Sequence, residues 1–363
     1  MKYFFIAGEA SGDLHASAVI QQIKARDPEA QIEGWGGDRM VDEGMHLKKH
    51  IRELAFMGFV EVIKNLATII RNFRQVKTDI QVFKPDVIVL VDYPGFNLRM
   101  ARWAKHKCYK VAYYISPTVW AWKEGRVETI RRYVDRLMCI LPFEKAFYAK
   151  HGIAVDYVGN PSAEKIGTLQ REPHSMDQPV IALLPGSRVQ EIKAMLPLML
   201  KVASQWKNYR ICIAQAPSLP DDLFLPLLQG YEVECLKNKT YELLQVAKAA
   251  LVTSGTATLE TALFGVPQVV CYRANPVSYA IARKVVKVKY ISLVNLILDR
   301  ELIREFIQAD FNEENLMNEM SRLLEDMRYR SDMQNGYNEL RQMLMQGRAS
   351  EETAKRIIEL AFQ

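Results

Sequence analysis

Cysteine is scarce, with five in 363 residues and no Cys-x-x-Cys pair. An odd, scattered set of this kind argues against a disulfide framework or a zinc cage. Cys139, Cys212, Cys235 and Cys271 lie in strand-like runs such as "LMCIL" and "RICIA", where a small core side chain is the plainer role. Also lacking is any apolar run near the ~20 residues that cross a bilayer, so membrane contact is expected to be peripheral. The opening "MKYFFIAGEASGD" loses its apolar character at Glu9, too soon for a signal-peptide core, and reads as a first strand. No Gly-x-Gly-x-x-Gly follows it, which weakens a nicotinamide-dependent reading. His46 and His50 in "HLKKH" have helical i, i+4 spacing but lack the glutamate of a zinc-protease motif. They read as a surface pair, and no metal is assigned. No Ser/His/Asp or Cys/His arrangement stands out. The net charge of +6 favours an anionic partner, but no nucleic-acid signature accompanies it, so no nucleic-acid partner is expected.

What is present is an ordinary globular composition, 49% hydrophobic and 25% charged, long enough for two domains. Strand-like runs recur between helical segments: "KYFFIAG", "DVIVLVD", "KVAYYIS" and "RLMCILP", with "QIEGWGG" and "VDYVGN" weaker. The rhythm restarts after residue 180 with "VIALLPGS", "RICIAQA", "YEVECL", "AALVTSG", "QVVCYR" and "YISLVNL". Near-continuous apolar strands alternating with helices imply parallel sheets covered on both faces, hence two doubly wound α/β domains in tandem. The expected boundaries are 1–165 and 175–345, joined through the proline-rich "NPSAEKIGTLQREPHSMDQP", with a cleft between the domains. A C-terminal helix over 346–363 is expected to pack back on the first domain.

In open α/β sheets ligands sit beyond the carboxyl ends of the strands. After the first strand, Gly8, Glu9, Ser11, Gly12 and Asp13 form "GEASGD", a tight turn whose polar groups either bond a ligand or cap a helix. After "VIVLV" comes "DYPGFN", in which Asp92 is a candidate general base or a helix cap, with Asn97 close behind. Trp120 and Trp122 in "SPTVWAWKEGR" can stack on a sugar, anchor an acyl chain or simply pack. In the second half, Gly186, Ser187 and Arg188 of "LPGSR" suit an anion site at a helix start, and Ser187 with Gln190 fits capping-box spacing. "TSGTATLE" offers Ser254, Gly255 and Thr256 at another helix start, where Ser254 or Thr256 is the natural cap. Glu260 fits neither cap nor capping box, because Ala257 stands three residues before it. A diphosphate between the two helix starts would leave a ribose diol for that carboxylate.

"GEASGD", "DYPGFN", "SPTVWAWKEGR", "LPGSR", "TSGTATLE" and "YISLVNL", in this order along nearly the whole chain, resemble the lipid-A-disaccharide synthase family. The resemblance implies a GT-B fold, two Rossmann-like domains facing a central cleft, with the acceptor in the first and UDP-sugar in the second. It implies an inverting, metal-independent transfer without cofactor. The donor would be UDP-2,3-diacylglucosamine and the acceptor 2,3-diacylglucosamine 1-phosphate, with release of UDP. Carried over by position, Asp92 is the base, Arg188 and Glu260 belong to the nucleotide half, and Asn295 falls in "SLVNL". Relatives often have proline where this chain has Val294, and many related glycosyltransferases have histidine where it has Asn160, to which no role is given. The alternatives are another UDP-sugar enzyme on this fold, of the 2-epimerase or murein glycosyltransferase type, and a noncatalytic nucleotide-sugar or lipid binder.

The segment 59–77 predicts an amphipathic helix. Phe59, Val62, Ile63, Leu66, Ile69, Ile70 and Phe73 share one side of an apolar arc of about 200°, wider than the ~100° a core-facing helix needs. Lys64 and Arg71 border the arc, and Arg74 and Lys77 end it, as in a helix lying on an anionic interface. The expectation is a cytoplasmic enzyme peripheral to the inner membrane, with this helix bordering the acyl-chain site. The competing expectation buries the helix against the first domain and a partner subunit of a homo-oligomer.

Overall fold

The structure is a computed structural model that describes residues 1–54, 66–122, 124–169, 178–217, 219–275, 279–280, 283, 286, 288–345 and 347–363, without the side chain of Leu66. Two compact units emerge, one formed by 1–164 with 345–363 and the other by 165–344.

The first unit holds seven strands: β1 (Lys2–Ala7), β2 (Gln31–Gly36), β3 (His46–His50), β4 (Val87–Val91), β5 (Lys110–Tyr114), β6 (Arg136–Cys139) and β7 (Asp156–Tyr157). Their order is β3-β2-β1-β4-β5-β6-β7, and the pairings are parallel. Alternation along β1 and β4 explains why both read as continuous apolar runs. Tyr3, Phe5, Val87 and Val89 face one core, closed by Val19 and Ile20 of helix Ala10–Arg26 and by Ile357 of helix Ala349–Phe362. Phe4, Ile6, Ile88 and Leu90 face the other, closed by Val76 and Ile80 of helix Leu66–Phe83 and by Met100 of helix Pro94–His106. Both faces being covered, no polar alternation is possible.

The second unit holds β8 (Val180–Leu184), β9 (Arg210–Gln215), β10 (Glu234–Lys237), β11 (Ala247–Thr253), β12 (Gln268–Tyr272) and β13 (Glu305–Ile307). Their order is β10-β9-β8-β11-β12-β13, again parallel.

Two expectations about elements are corrected. "HLKKH" is edge strand β3, not a helical pair: His46 lies 3.4 Å from Glu33 and His50 3.3 Å from Asp38, so partners on the adjacent elements hold the charged run extended. "YISLVNL" is no strand, since Ser292 caps a helix over Leu293–Leu298 and its Oγ accepts from the Asn295 N–H. The edge of the second sheet is the short β13 instead. Among the described residues no helix is long and apolar enough to cross a membrane.

Candidate functional site

In each sheet the strand order reverses once, and there two consecutive loops diverge and leave a crevice beyond the strand ends. In the first sheet the reversal lies between β1 and β4, with Ala7 opposite Val91, so "GEASGD" and "DYPGFN" emerge side by side. Asp92 and Tyr93 both take left-handed backbone, at φ 43° and 48°. Two consecutive non-glycine residues in that region cost roughly 1–2 kcal/mol each, which the surroundings must offset. The Asp92 carbonyl accepts from the Tyr113 hydroxyl at 2.6 Å and the Asn97 amide at 2.8 Å, and its N–H donates to Tyr114 at 2.9 Å. Gly8 completes the turn: a Cβ there would lie 2.4 Å from the Tyr93 ring, so only glycine permits the approach. Asp92 is thereby held half-buried beside Glu9. Burial, then the negative charge of Glu9, push its carboxyl up to about 6, against a smaller pull from the Tyr93 N–H. A carboxyl poised there suits a general base working near neutral pH.

Several first-unit candidates have structural roles. Asp13 is buried, and its carboxylate accepts from the backbone N–H groups of Gly37 (2.8 Å), Met40 (3.1 Å) and Arg39 (3.3 Å), holding the start of helix Asp38–Asp42. That use of both oxygens corrects its expected place among acceptor ligands. Asn97 is fully buried and its amide also donates to Ile6 and Val91, so it ties β1 to β4 and shapes the turn from beneath. Gly12 is buried, a Cβ there falling 3.4 Å from the Ala7 methyl, while Glu9 is half-buried and Ser11 exposed near the strand ends. Trp120 stands edge-on to Phe143 at 4.8 Å, a packing contact, and Trp122 is exposed. A carboxyl that the sequence reading passed over, Glu144, is 1% exposed; burial raises it to about 7 against the pull of the Leu141 and Ile140 N–H groups. It reaches back over the start of its own helix, Pro142–Lys150, as a capping acid does.

Of the proposed acyl-side residues, Phe59, Val62 and Ile63 lie outside the described residues. Leu66 begins the helix, Ile69 is half-buried and Ile70 is 45% exposed. Phe73 departs from the expected outer face: it stacks on Phe96 at 4.2 Å, and Phe96 in turn lies 5.7 Å from Tyr93. The arc was too wide because its Phe73 edge belongs to the core that Val76 and Ile80 continue.

In the second sheet the reversal lies between β8 and β11, with Leu184 opposite Val252, so "PGSR" and "SGTATLE" emerge together. They line a cavity of about 300 Å³ with Gly186, Ser187, Arg188, Ser254, Gly255, Thr256 and Glu260 on its wall. Helix Thr256–Phe264 starts at Gly255 without a side-chain cap, correcting the cap expected of Ser254 or Thr256. Its N-terminal N–H groups are therefore not tied up by a hydroxyl, and the positive end of the helix meets the cavity. Ser254 instead donates to the Ile291 carbonyl at 2.9 Å. At the other wall the expected Ser187–Gln190 box is replaced by Glu191, whose Oε2 accepts from the Ser187 and Arg188 N–H groups at 3.0 and 3.3 Å. Gly186, at φ 108°, makes room for that carboxylate. Arg188 remains largely exposed at the rim, 3.4 Å from Glu191. Glu260 is raised by burial, offset by the Tyr241 hydroxyl and by the charge of Lys165.

Asn295 is corrected from nucleotide ligand to internal brace. It is fully buried; its amide donates to Ile303 and Glu305, and its Oδ1 accepts from the Leu302 and Ile303 N–H groups. Glu305 also holds the Ile291 and Ser292 N–H groups, and Ile291 holds Ser254, so the brace reaches the cavity through two intermediaries. Val294 is buried beside it. Asn160 caps helix Pro161–Thr168, its Oδ1 accepting from Ser162 and Ala163. Thr240, Ala216 and Glu191 also line the cavity, and Tyr241 bonds Glu260. The rule of inspecting each strand end reaches Ala216 after β9 and Thr240 after β10 when applied to those strands too.

The family model for lipid-A-disaccharide synthetase matches residues 3–359. The chain is 34% identical to a lipid-A-disaccharide synthase of Geobacter sulfurreducens, covering 99% of this chain and 97% of that protein. It is 36% identical to one of Myxococcus xanthus, covering 98% and 96%. Among solved structures, the glycotransferase of kitacinnamycin superposes with TM-score 0.66 at 13% identity, covering 99% of this chain and 98% of that one. The UDP-GlcNAc 2-epimerase of Neisseria meningitidis, bound to UDP-GlcNAc, superposes with TM-score 0.60 at 16% identity over 100% of both chains. These last two are likenesses of fold.

Proposed function

The chain belongs to the lipid-A-disaccharide synthase family, and we propose from this premise how its residues divide the work. It is a glycosyltransferase of GT-B fold that makes the lipid A disaccharide from a UDP-sugar and a lipid-linked acceptor. In finer terms, the donor is UDP-2,3-diacylglucosamine and the acceptor 2,3-diacylglucosamine 1-phosphate. The acceptor 6-hydroxyl attacks the anomeric carbon from the face opposite UDP. Asp92 takes the hydroxyl proton, the bond from the anomeric carbon to the phosphate oxygen breaks, and UDP departs with that electron pair, leaving the new β-1,6 bond inverted at carbon. The observation that carries the assignment of the base is the half-buried Asp92 turn at the strand ends, where partial burial and Glu9 bring the carboxyl to about 6.

The first unit would take the acceptor and the second the nucleotide. Arg188 and the start of helix Thr256–Phe264 supply positive potential for the departing diphosphate, worth most where water is displaced. Glu260 accepts from the ribose hydroxyls. The outer face of helix Leu66–Phe83, with Ile70 exposed beside Arg71 and Arg74, docks the enzyme on an anionic leaflet, which supports a peripheral, cytoplasmic placement.

The test is a UDP-release assay with donor alone, acceptor alone and both. Release is expected only with both sugars present, and Asp92→Asn should abolish it while UDP still binds. Conversion of the donor to another UDP-sugar without acceptor, followed by chromatography of the same reactions, would favour an epimerase, and neither release nor conversion under all three conditions a binding protein.

A further inference from the structure

We propose that Tyr241 is a positioning residue for nucleotide recognition: it fixes the Glu260 carboxylate through one oxygen and thereby turns the other toward a ribose diol. The inference rests on the reading of Glu260 as the ribose ligand. The Tyr241 hydroxyl donates to Glu260 Oε1 at 2.7 Å. Its ring is gripped from two sides. Phe264, one turn beyond Glu260 on the same helix, lies 5.3 Å from the ring, and the Lys165 ammonium sits 4.8 Å over its face. The neighbouring Thr240 lines the cavity with Glu260, so the helix bearing the phenol is part of the same wall.

The physical need for such a partner is specific. The terminal torsion of a glutamate is broad and roughly two-fold, so an untethered carboxylate presents its oxygens in many planes. Recognition of two vicinal hydroxyls requires one plane and an ionised group, yet burial opposes ionisation of Glu260. A phenol donating to Oε1 supplies orientation and favours the charged form together. Oε2 is then left to accept from the 2′- and 3′-hydroxyls. A tyrosine needed only for packing would have no use for its hydroxyl here.

Tyr241→Phe removes the hydroxyl and keeps the ring packing. Calorimetric titration with UDP and with 2′,3′-dideoxy-UDP, on the wild type, Tyr241→Phe, Glu260→Ala and the double variant, tests the proposal. Tyr241→Phe should weaken UDP roughly tenfold, the scale of a lost hydrogen bond to a charged group. It should leave the dideoxy nucleotide unchanged and add nothing in the Glu260→Ala background. Equal losses for both nucleotides, or an undiminished Tyr241→Phe effect without Glu260, would overturn the proposal. If wild-type protein binds the two nucleotides equally, the ribose assignment of Glu260 itself fails.

Discussion

Replacing Asp92 by asparagine removes the proposed base and at the same time relieves the site of a charge it holds at a cost. With the carboxyl at about 6, roughly nine-tenths of Asp92 is ionised at pH 7 and roughly one-tenth at pH 5, so kcat/KM should fall about tenfold over that interval. Asp92→Asn should lose roughly 10²- to 10⁴-fold in turnover and, with it, this acid limb. Glu9→Gln should keep the limb but move it to lower pH. The move should stop short of the ordinary 3.8, because burial, the larger cause, remains. Stability runs the other way. A carboxyl whose folded pKa lies above its unfolded value favours the fold when protonated, and that advantage, full below about 3.8, is lost as pH rises through about 6. At neutral pH the ionised, buried group therefore costs up to roughly 3 kcal/mol. Asparagine carries no charge and tolerates left-handed backbone, so the inactive variant should melt at a higher temperature than the wild type at pH 7.5 and lose that margin near pH 4. Initial-rate UDP release at low substrate across pH 4–8.5, with calorimetric melts of the same samples, gives both readouts. An acid limb that survives in Asp92→Asn, or a variant that melts lower at pH 7.5, would refute the reasoning.

Gly8→Ala should cut turnover at least as deeply as it cuts stability, because the new methyl meets the Tyr93 ring at 2.4 Å and must shift the Asp92 turn; a kinetic assay with unchanged UDP affinity would confirm that the damage stays in the first unit. Asn295→Ala leaves buried N–H and C=O groups unpaired, and should cost about 2–4 kcal/mol in chemical denaturation while weakening UDP only indirectly. Activity should persist in excess EDTA if, as proposed, Arg188 and the start of helix Thr256–Phe264 supply the positive charge at the diphosphate; dependence on added Mg²⁺ would contradict this. Ile69→Ser with Ile70→Ser should reduce sedimentation with anionic liposomes and raise the KM for long-chain substrates without changing UDP affinity; liposome binding equal to the parent would move the docking face elsewhere.

Much of the architecture is legible in the sequence because a strand covered on both faces must be apolar throughout, and "VIVLV", "VIALL" and "AALVT" are. Edge strands escape that rule. β3 is built of "HLKKH", whose charges find partners on β2 and the helix Asp38–Asp42, and β13 has only three residues. "YISLVNL" misleads because its apolar spacing suits a short capped helix as well as a strand. At the candidate site, loops are legible where they directly follow strong strands, as with Asp92, Arg188 and Glu260. What a polar residue does in a loop is less so. Asp13 is bound by backbone groups distant in sequence and Asn295 by groups past the end of its own helix, and no local pattern announces those partners. Tyr241 stands nineteen residues before Glu260, and only the fold of β10 and β11 about their connecting helix brings phenol and carboxylate together.

The return of helix Ala349–Phe362 to the first unit has a consequence for the order in which the chain acquires structure. Ala354, Ile357, Leu360 and Ala361 fill the core beside helix Ala10–Arg26, yet the ribosome makes them only after all 180 residues of the second unit. A nascent chain therefore holds a seven-stranded sheet with one apolar flank open while the uninterrupted second unit folds. During that interval the flank of β4, β5 and β6 that this helix later covers, with Val89, Ala112, Tyr114 and Met138, is a surface for chaperones, and the first unit closes last although it is synthesised first.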